Sequence, residues 1–269
     1  MRLAAMILAA LAGQLTAQTP LAPMQPSGPW SMEYAENACV LSRNYGQGTD
    51  QVTIAFRPYP HSNGVDFLLT SSEENSKSRT NNNATIILSA SEKPIKRDYS
   101  SYFQQAIGKR IFTTYFTDTE LDLISDGNSL SISLANKPMM TFAVRGLKSA
   151  RVALNACRAD LLKSWSIIVP PDGSRAVAAT LVTNSDFLNS SDYPIGALLE
   201  GKEGISTLMW RIGIDGKAHD CRVTVSSGSD ELDRTACAAV LQRLRYKPAL
   251  DKDNKPVESY HTQRIRWIK

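Results

Sequence analysis

The residues of this chain that could do chemistry are four cysteines, three histidines and scattered serine, arginine and carboxylate side chains. His61, His219 and His261 lie far apart, and no two cysteines have the Cys-x-x-Cys spacing that is common in zinc sites. The sequence contains no phosphate-binding P-loop, no Gly-x-Gly-x-x-Gly and no Gly-x-Ser-x-Gly. We therefore expect no catalytic residue, no metal, no cofactor and no small-molecule substrate.

Two weaker candidates for catalysis have simpler interpretations. Ser42, Arg43 and His61 include a nucleophile and a base, but no known spacing links them, and ordinary polar contacts explain them better. Glu73 and Glu74 are adjacent, so on a strand their side chains would point to opposite faces, and the polar stretch around them favours a solvated loop. An enzyme housed in the N-terminal part of the chain is therefore a minor alternative.

The N-terminus has the pattern of a secretory signal peptide over residues 1–17. Arg2 precedes an apolar run at residues 3–12, and Ala17 offers a small residue for cleavage. The run is much shorter than the roughly 20 residues of a membrane-spanning helix, so we expect cleavage and a periplasmic protein rather than an anchor. The formal charge of +4 over 269 residues becomes +3 without Arg2, which is too small to indicate nucleic-acid binding.

The C-terminal part has the most consistent pattern of local structure. Asp215-Gly216 supplies a hairpin turn, and Ser229 or Asp230 can cap a helix that Pro248 ends. The predicted elements in order are a strand at 205–214, a strand at 221–225, a helix ending before Pro248, and a strand at 260–268. This order is β-hairpin, helix, β-strand.

At these positions the sequence resembles the C-terminal domain of TonB-type energy transducers. The matching residues are Tyr193-Pro194, Glu203-Gly204, Asp215-Gly216, Ser226-Ser227-Gly228, Leu232-Asp233, Arg245-Tyr246-Lys247-Pro248-Ala249 and Pro256-Val257. The resemblance is confined to about residues 193–269. It implies a domain that binds the TonB box of an outer-membrane receptor by strand addition. The partner-binding residues that it implies are Tyr193, Pro194, Tyr260, Thr262, Gln263, Arg264, Ile265 and Arg266.

The whole chain is expected to be an α+β protein, with a mostly-β N-terminal domain closed by a helix and a small ββαβ domain after it. The expected divisions are a signal peptide at 1–17, a proline-rich leader at 18–29, the β-rich domain at 30–168, a linker at 169–190 and the TonB-like domain at 191–269. Strands are expected at 30–45, 51–59, 65–71, 84–89 and 111–116, and a hairpin at 120–134 around Asp126-Gly127-Asn128.

An exported protein can keep disulfide bonds, and the hydrophobic pattern suggests how the four cysteines pair. Cys221 lies on the strand face that carries Val223, and Cys237 lies on the helix face that carries Val240. These two faces must meet, so we expect Cys221 to pair with Cys237. Leu147, Leu154 and Leu161 recur every seven residues with Cys157 between them, so a helix should carry Cys157 to Cys39, and we expect these two to pair.

Two functions remain open from the sequence. The first is peptide binding by the last strand, with Ile265 and Trp267 facing the helix and Arg264 and Arg266 facing outward, where they would favour an acidic peptide. The second is a structural or adaptor protein of the cell envelope that uses the same domain to form a homodimer or to dock on another protein.

Overall fold

The computed structural model describes residues 22–61, 64–72, 79–88, 93–104, 107–135, 138–167, 175–183 and 186–269. The expected signal peptide, the pair Glu73 and Glu74 and the start of the expected linker lie outside these ranges. Within them, none of the helices has the length and apolar character that crossing a membrane requires.

Nine strands of the N-terminal part form one antiparallel sheet. Their order across the sheet is β1-β2-β3-β4-β7-β6-β5-β8-β9, so β7 inserts next to β4. The strands are β1 (Ser31–Tyr34), β2 (Cys39–Tyr45), β3 (Val52–Pro58), β4 (Gly64–Ser71), β5 (Arg79–Leu88), β6 (Ile95–Gln104), β7 (Lys109–Thr117), β8 (Ser129–Leu134) and β9 (Met140–Ala143).

One face of this sheet carries the N-terminal core. Alternate residues of the strands, such as Ile54, Phe56, Phe67 and Phe116, are buried there together, as a strand period of two requires. The helix α2 (Leu147–Ser164) covers the core with Leu147, Leu154, Cys157 and Leu161, which recur at helical spacing as the sequence predicted.

Residues 120–134 differ from the expected hairpin. The first half forms a helix, α1 (Asp118–Asp126), and only the second half is a strand, β8. Thr117 caps α1: its side chain accepts from the Glu120 backbone, and the Glu120 carboxylate accepts from the Thr117 backbone. This reciprocal capping box satisfies two N–H groups at the start of the helix, which favours a helix over the expected first strand of the hairpin.

The C-terminal part has its own core around a three-stranded sheet, with the order β13-β12-β17. Its main elements are β12 (Gly204–Ile212), β13 (Ala218–Val225), helix α4 (Asp230–Arg243) and β17 (Ser259–Trp267), preceded by the short helix α3 (Ile195–Leu199). Gly216 has φ of 73° in the predicted turn between β12 and β13, a value that favours glycine. Trp210 and Leu208 of β12 pack on Leu232 and Val240 of α4.

Short strands surround this unit. β14 (Tyr246–Lys247), β15 (Ala249–Asp251) and β16 (Pro256–Val257) lie between α4 and β17. β10 (Arg175–Val177) and β11 (Thr180–Leu181), which fall within the expected linker, pair with β15 and β14. The chain before β12 is therefore joined to the C-terminal unit by backbone hydrogen bonds.

Each unit contains one disulfide bond, in the pairing expected from the sequence. Cys39 at the start of β2 is bonded to Cys157 on α2, across 118 residues of sequence. Cys221 on β13 is bonded to Cys237 on α4, across 16 residues. Both bonds tie a strand to the helix that packs on it.

Candidate functional site

The candidate site is centred on β17, which is an edge strand. β17 pairs with β12 along its whole length, from Gly204 opposite Trp267 to Ile212 opposite Ser259. No strand of the described chain pairs with its other edge. The N–H and C=O groups of that edge are therefore free to bond with an added strand.

The odd-numbered side chains of β17 face α4, as the sequence predicted for Ile265 and Trp267. Both residues are buried in the C-terminal core. The Trp267 indole N–H donates to Ser206 Oγ at 3.1 Å. The His261 ring lies 4.9 Å from the Trp210 ring. This face holds the strand to its own domain.

Tyr193 lies at the C-terminal end of β17. Its ring meets the Trp267 ring edge-on at 5.4 Å, and its hydroxyl donates to the Lys202 carbonyl. Pro194 follows as the N-terminal cap of α3, whose Ile195 and Leu199 are highly exposed. The structure thus brings Tyr193 and Pro194, which lie 74 and 73 residues before Trp267 in the sequence, to one end of the last strand.

The even-numbered side chains of β17 face the outer surface of the N-terminal sheet. Arg264 approaches Asp66 of β4, with 3.4 Å between Nη1 and Oδ1, and Arg266 donates to Ser100 of β6. The Tyr260 ring lies 5.1 Å from the His61 ring. Arg264 and Arg266 therefore point away from α4, but toward another part of the same chain and not simply into solvent.

Asp66 is the centre of this contact and is completely buried. Its carboxylate also accepts from Arg57 Nη2 at 2.8 Å and from the Tyr59 hydroxyl at 2.6 Å. Burial alone would raise the pKa of Asp66, but the charges of Arg264 and Arg57 outweigh burial and hold that pKa below its usual value. Burial beside this carboxylate raises the pKa of Tyr59, so its hydroxyl remains a donor.

This arrangement corrects one expectation. Arg264 lies against Asp66, which it shares with Arg57, and is not simply a solvent-facing charge for an acidic peptide. Arg266 differs, since none of the described residues forms an ion pair with it. Burial and the nearby Arg264 lower the pKa of Arg266, which remains far above neutrality for a guanidinium. Arg57, Arg264 and Arg266 thus carry three positive charges against the one negative charge of Asp66, so the group keeps a net positive charge beside β17.

Sequence reasoning missed Asp66, Tyr59 and Ser100. The available signal was a single carboxylate within the apolar run Val65–Leu69, because an ionised side chain is seldom fully buried without a partner. Nothing in the sequence named the partner, which comes from a strand almost 200 residues away.

The weaker chemical candidates have structural contacts. Arg43 donates to the Gly28 and Arg145 carbonyls at 2.8 Å and lies over the Trp30 ring, whereas His61 contacts Tyr260. His219 bonds to Asp215 in the β12–β13 turn. In the described ranges, no three histidine, cysteine or carboxylate side chains are grouped to hold a metal.

The fold and this edge strand define a small α/β unit able to extend its sheet by one more strand. Residues 189–268 match the model of a domain family described as Gram-negative bacterial TonB protein C-terminal. No curated protein matches the chain. The domain indicates a TonB-like envelope protein, in a family of binding and energy-transducing domains that are not enzymes.

Proposed function

We propose that the chain binds an extended peptide by adding it to the free edge of β17. The partner is the TonB box of an outer-membrane receptor, or a comparable segment of another envelope protein. The observation that carries the proposal is the unpaired edge of β17, with Tyr193 and Pro194 at its end. The partner-binding residues are then Tyr260, Thr262, Gln263, Arg264, Ile265 and Arg266, through their backbone, together with Tyr193 and Pro194.

The setting of this function is a periplasmic protein linked to transport across the outer membrane. In it, residues 1–17 direct export, residues 30–168 and 191–269 form two domains, and the second binds the receptor. Support comes from the domain match and from the two disulfide bonds, which persist in oxidising compartments such as the periplasm.

Two proline variants test the proposal, since neighbouring N–H groups of a strand point to opposite edges. Of Thr262→Pro and Gln263→Pro, one removes an N–H from the free edge and the other removes one that bonds to β12. The first should stay folded and lose binding to a TonB-box peptide. The second should lower the midpoint of thermal unfolding.

Binding is measured by fluorescence anisotropy of the labelled peptide, and folding by circular dichroism. If a folded variant with a free-edge proline binds the peptide as the wild type does, β17 is not the binding edge. If the wild type binds no TonB-box peptide, an outer-membrane receptor is not the partner, and if it binds no strand-forming peptide the proposal fails as a whole.

A second candidate function is docking or dimer formation through α3, and the exposure of its apolar residues favours it. Ile195 is 75% exposed and Leu199 is 81% exposed, side by side near Tyr193. Replacing both with glutamate should convert a dimer to a monomer in sedimentation equilibrium. A wild-type protein that is monomeric at all concentrations would exclude the dimer.

A further inference from the structure

The outer face of the N-terminal sheet is buried up to a sharp boundary beneath β17. One row across the sheet, formed by Leu68, Thr113 and Ser100 on β4, β7 and β6, is buried. In the next row Asp66 is buried, but its strand partner Tyr115 is 48% exposed. The cover on this face therefore ends between Thr113 and Tyr115.

The contacts of β17 explain this boundary. Arg264 reaches Asp66 in one row and Arg266 reaches Ser100 in the other, so β17 crosses the two rows obliquely. Ile205 of β12 and Tyr102 of β6 line the same small cavity. Tyr102 follows Ser100 along β6, in the direction away from Asp98, so β12 lies on that side of β17. Tyr115 then lies on the opposite side, next to the free edge of β17.

Tyr115 is held in a fixed orientation. The Arg97 guanidinium lies 4.2 Å from the centre of its ring, and Arg97 donates to the Tyr115 carbonyl at 2.6 Å. Arg97 is itself fixed by two hydrogen bonds to the Glu120 carboxylate, at 2.8 Å and 3.2 Å. A rigid aromatic ring loses little conformational entropy when a ligand packs on it.

We propose that Tyr115 forms the floor of the β17 edge site and packs against an apolar side chain of the added peptide. This inference rests on the proposed function. Alternate side chains of an added strand point to one face of the sheet, and at β17 that face is the N-terminal sheet. The N-terminal unit then selects peptides with an apolar residue at the position over Tyr115. At the position next to it, Arg266 favours an acidic residue.

The test uses the full chain and a labelled strand-forming peptide that carries leucine at one floor-facing position, or alanine there instead. Tyr115→Ala should weaken binding of the leucine peptide about ten-fold, as loss of a central aromatic contact does. Tyr115→Phe should retain binding. Tyr34→Ala is the matched control, because Tyr34 is also exposed but lies on β1 at the far edge of the sheet.

The two peptides separate a direct contact from an indirect one. Wild type should prefer leucine to alanine, and Tyr115→Ala should lose that preference. Unchanged binding by folded Tyr115→Ala, with binding still lost in the free-edge proline variant, would overturn this inference alone. If neither wild type nor any variant binds either peptide, the proposed function fails as well.

Discussion

The two faces of the β13-β12-β17 sheet are covered in different ways. Toward α4 the contact is apolar, with Trp210 and Leu208 packed against Leu232 and Val240. Toward the N-terminal sheet it is mixed, because Asp66, Arg264 and Ser100 form polar contacts at its centre and the apolar Ile205 and Leu68 are also buried there. The first face resembles a domain core, and the second resembles the more polar interfaces that form between domains.

The difference indicates which face stabilises the C-terminal unit and which face sets the orientation of its sheet on the N-terminal sheet. Apolar burial is non-directional and contributes most of the stability of the C-terminal unit. A buried ion pair has a desolvation cost close to its attraction, so it adds little net stability but penalises every arrangement that separates its charges. We infer that Asp66 and Arg264 fix how β17 lies on the N-terminal sheet.

The largest expected effect is on the apolar face. Trp210→Ala removes a fully buried side chain from the centre of the C-terminal core. The free energy of unfolding of this unit should fall by about 4 kcal/mol, measured by urea denaturation. A loss below about 1 kcal/mol would show that α4 does not depend on this face.

An intermediate effect is expected on the polar face. Asp66→Asn leaves Arg57 and Arg264 without their carboxylate, and we expect a loss of about 2 to 3 kcal/mol because both guanidiniums keep some solvent contact. The matched control is Asp98→Asn, an exposed carboxylate on β6 of the same sheet, which should change stability by less than about 0.5 kcal/mol. Equal effects of the two would mean that Asp66 does not hold the units together.

Acid should act on the polar face in the same direction. The pKa of Asp66 is lowered in the folded protein, so its contribution to stability is complete above the unfolded value of about 3.9 and is lost as pH falls below it. Wild type should therefore approach the stability of Asp66→Asn as pH falls below about 4. A difference that stays constant over this range in denaturant titrations would contradict the assignment.

The smallest expected effect returns to the apolar face. Burial beside Trp210 lowers the pKa of His261, so the unfolded chain takes up its proton first as pH falls through about 6.5. Stability should decline slightly from about pH 7.5 to pH 5.5, and His261→Gln should remove that decline. Thermal unfolding midpoints at the two pH values measure it, and an unchanged decline in the variant would assign it to another group.

Local pattern alone determined much of the C-terminal unit. The turn at Asp215-Gly216, the strand-helix-strand order and the pairing of Cys221 with Cys237 follow from side-chain period and turn chemistry, which act over a few residues. The long helix that carries Cys157 toward Cys39 followed from its apolar spacing in the same way. Among the candidate site residues, the family resemblance named Tyr193, and strand alternation predicted that Ile265 faces the helix.

Tertiary structure alone decided the rest. Strand β6 has a weak pattern of its own and forms because β5 and β7 supply its hydrogen bonds. Helix α1, by contrast, has a local signal that the sequence analysis missed, the capping box of Thr117 and Glu120. The contact of Arg264 with Asp66 joins residues 198 positions apart, and no local property of either one specifies the other. Strand alternation predicted that Arg264 faces away from α4. Only the folded chain brings the buried carboxylate of Asp66 to it, because long-range pairing depends on the packing of every intervening element.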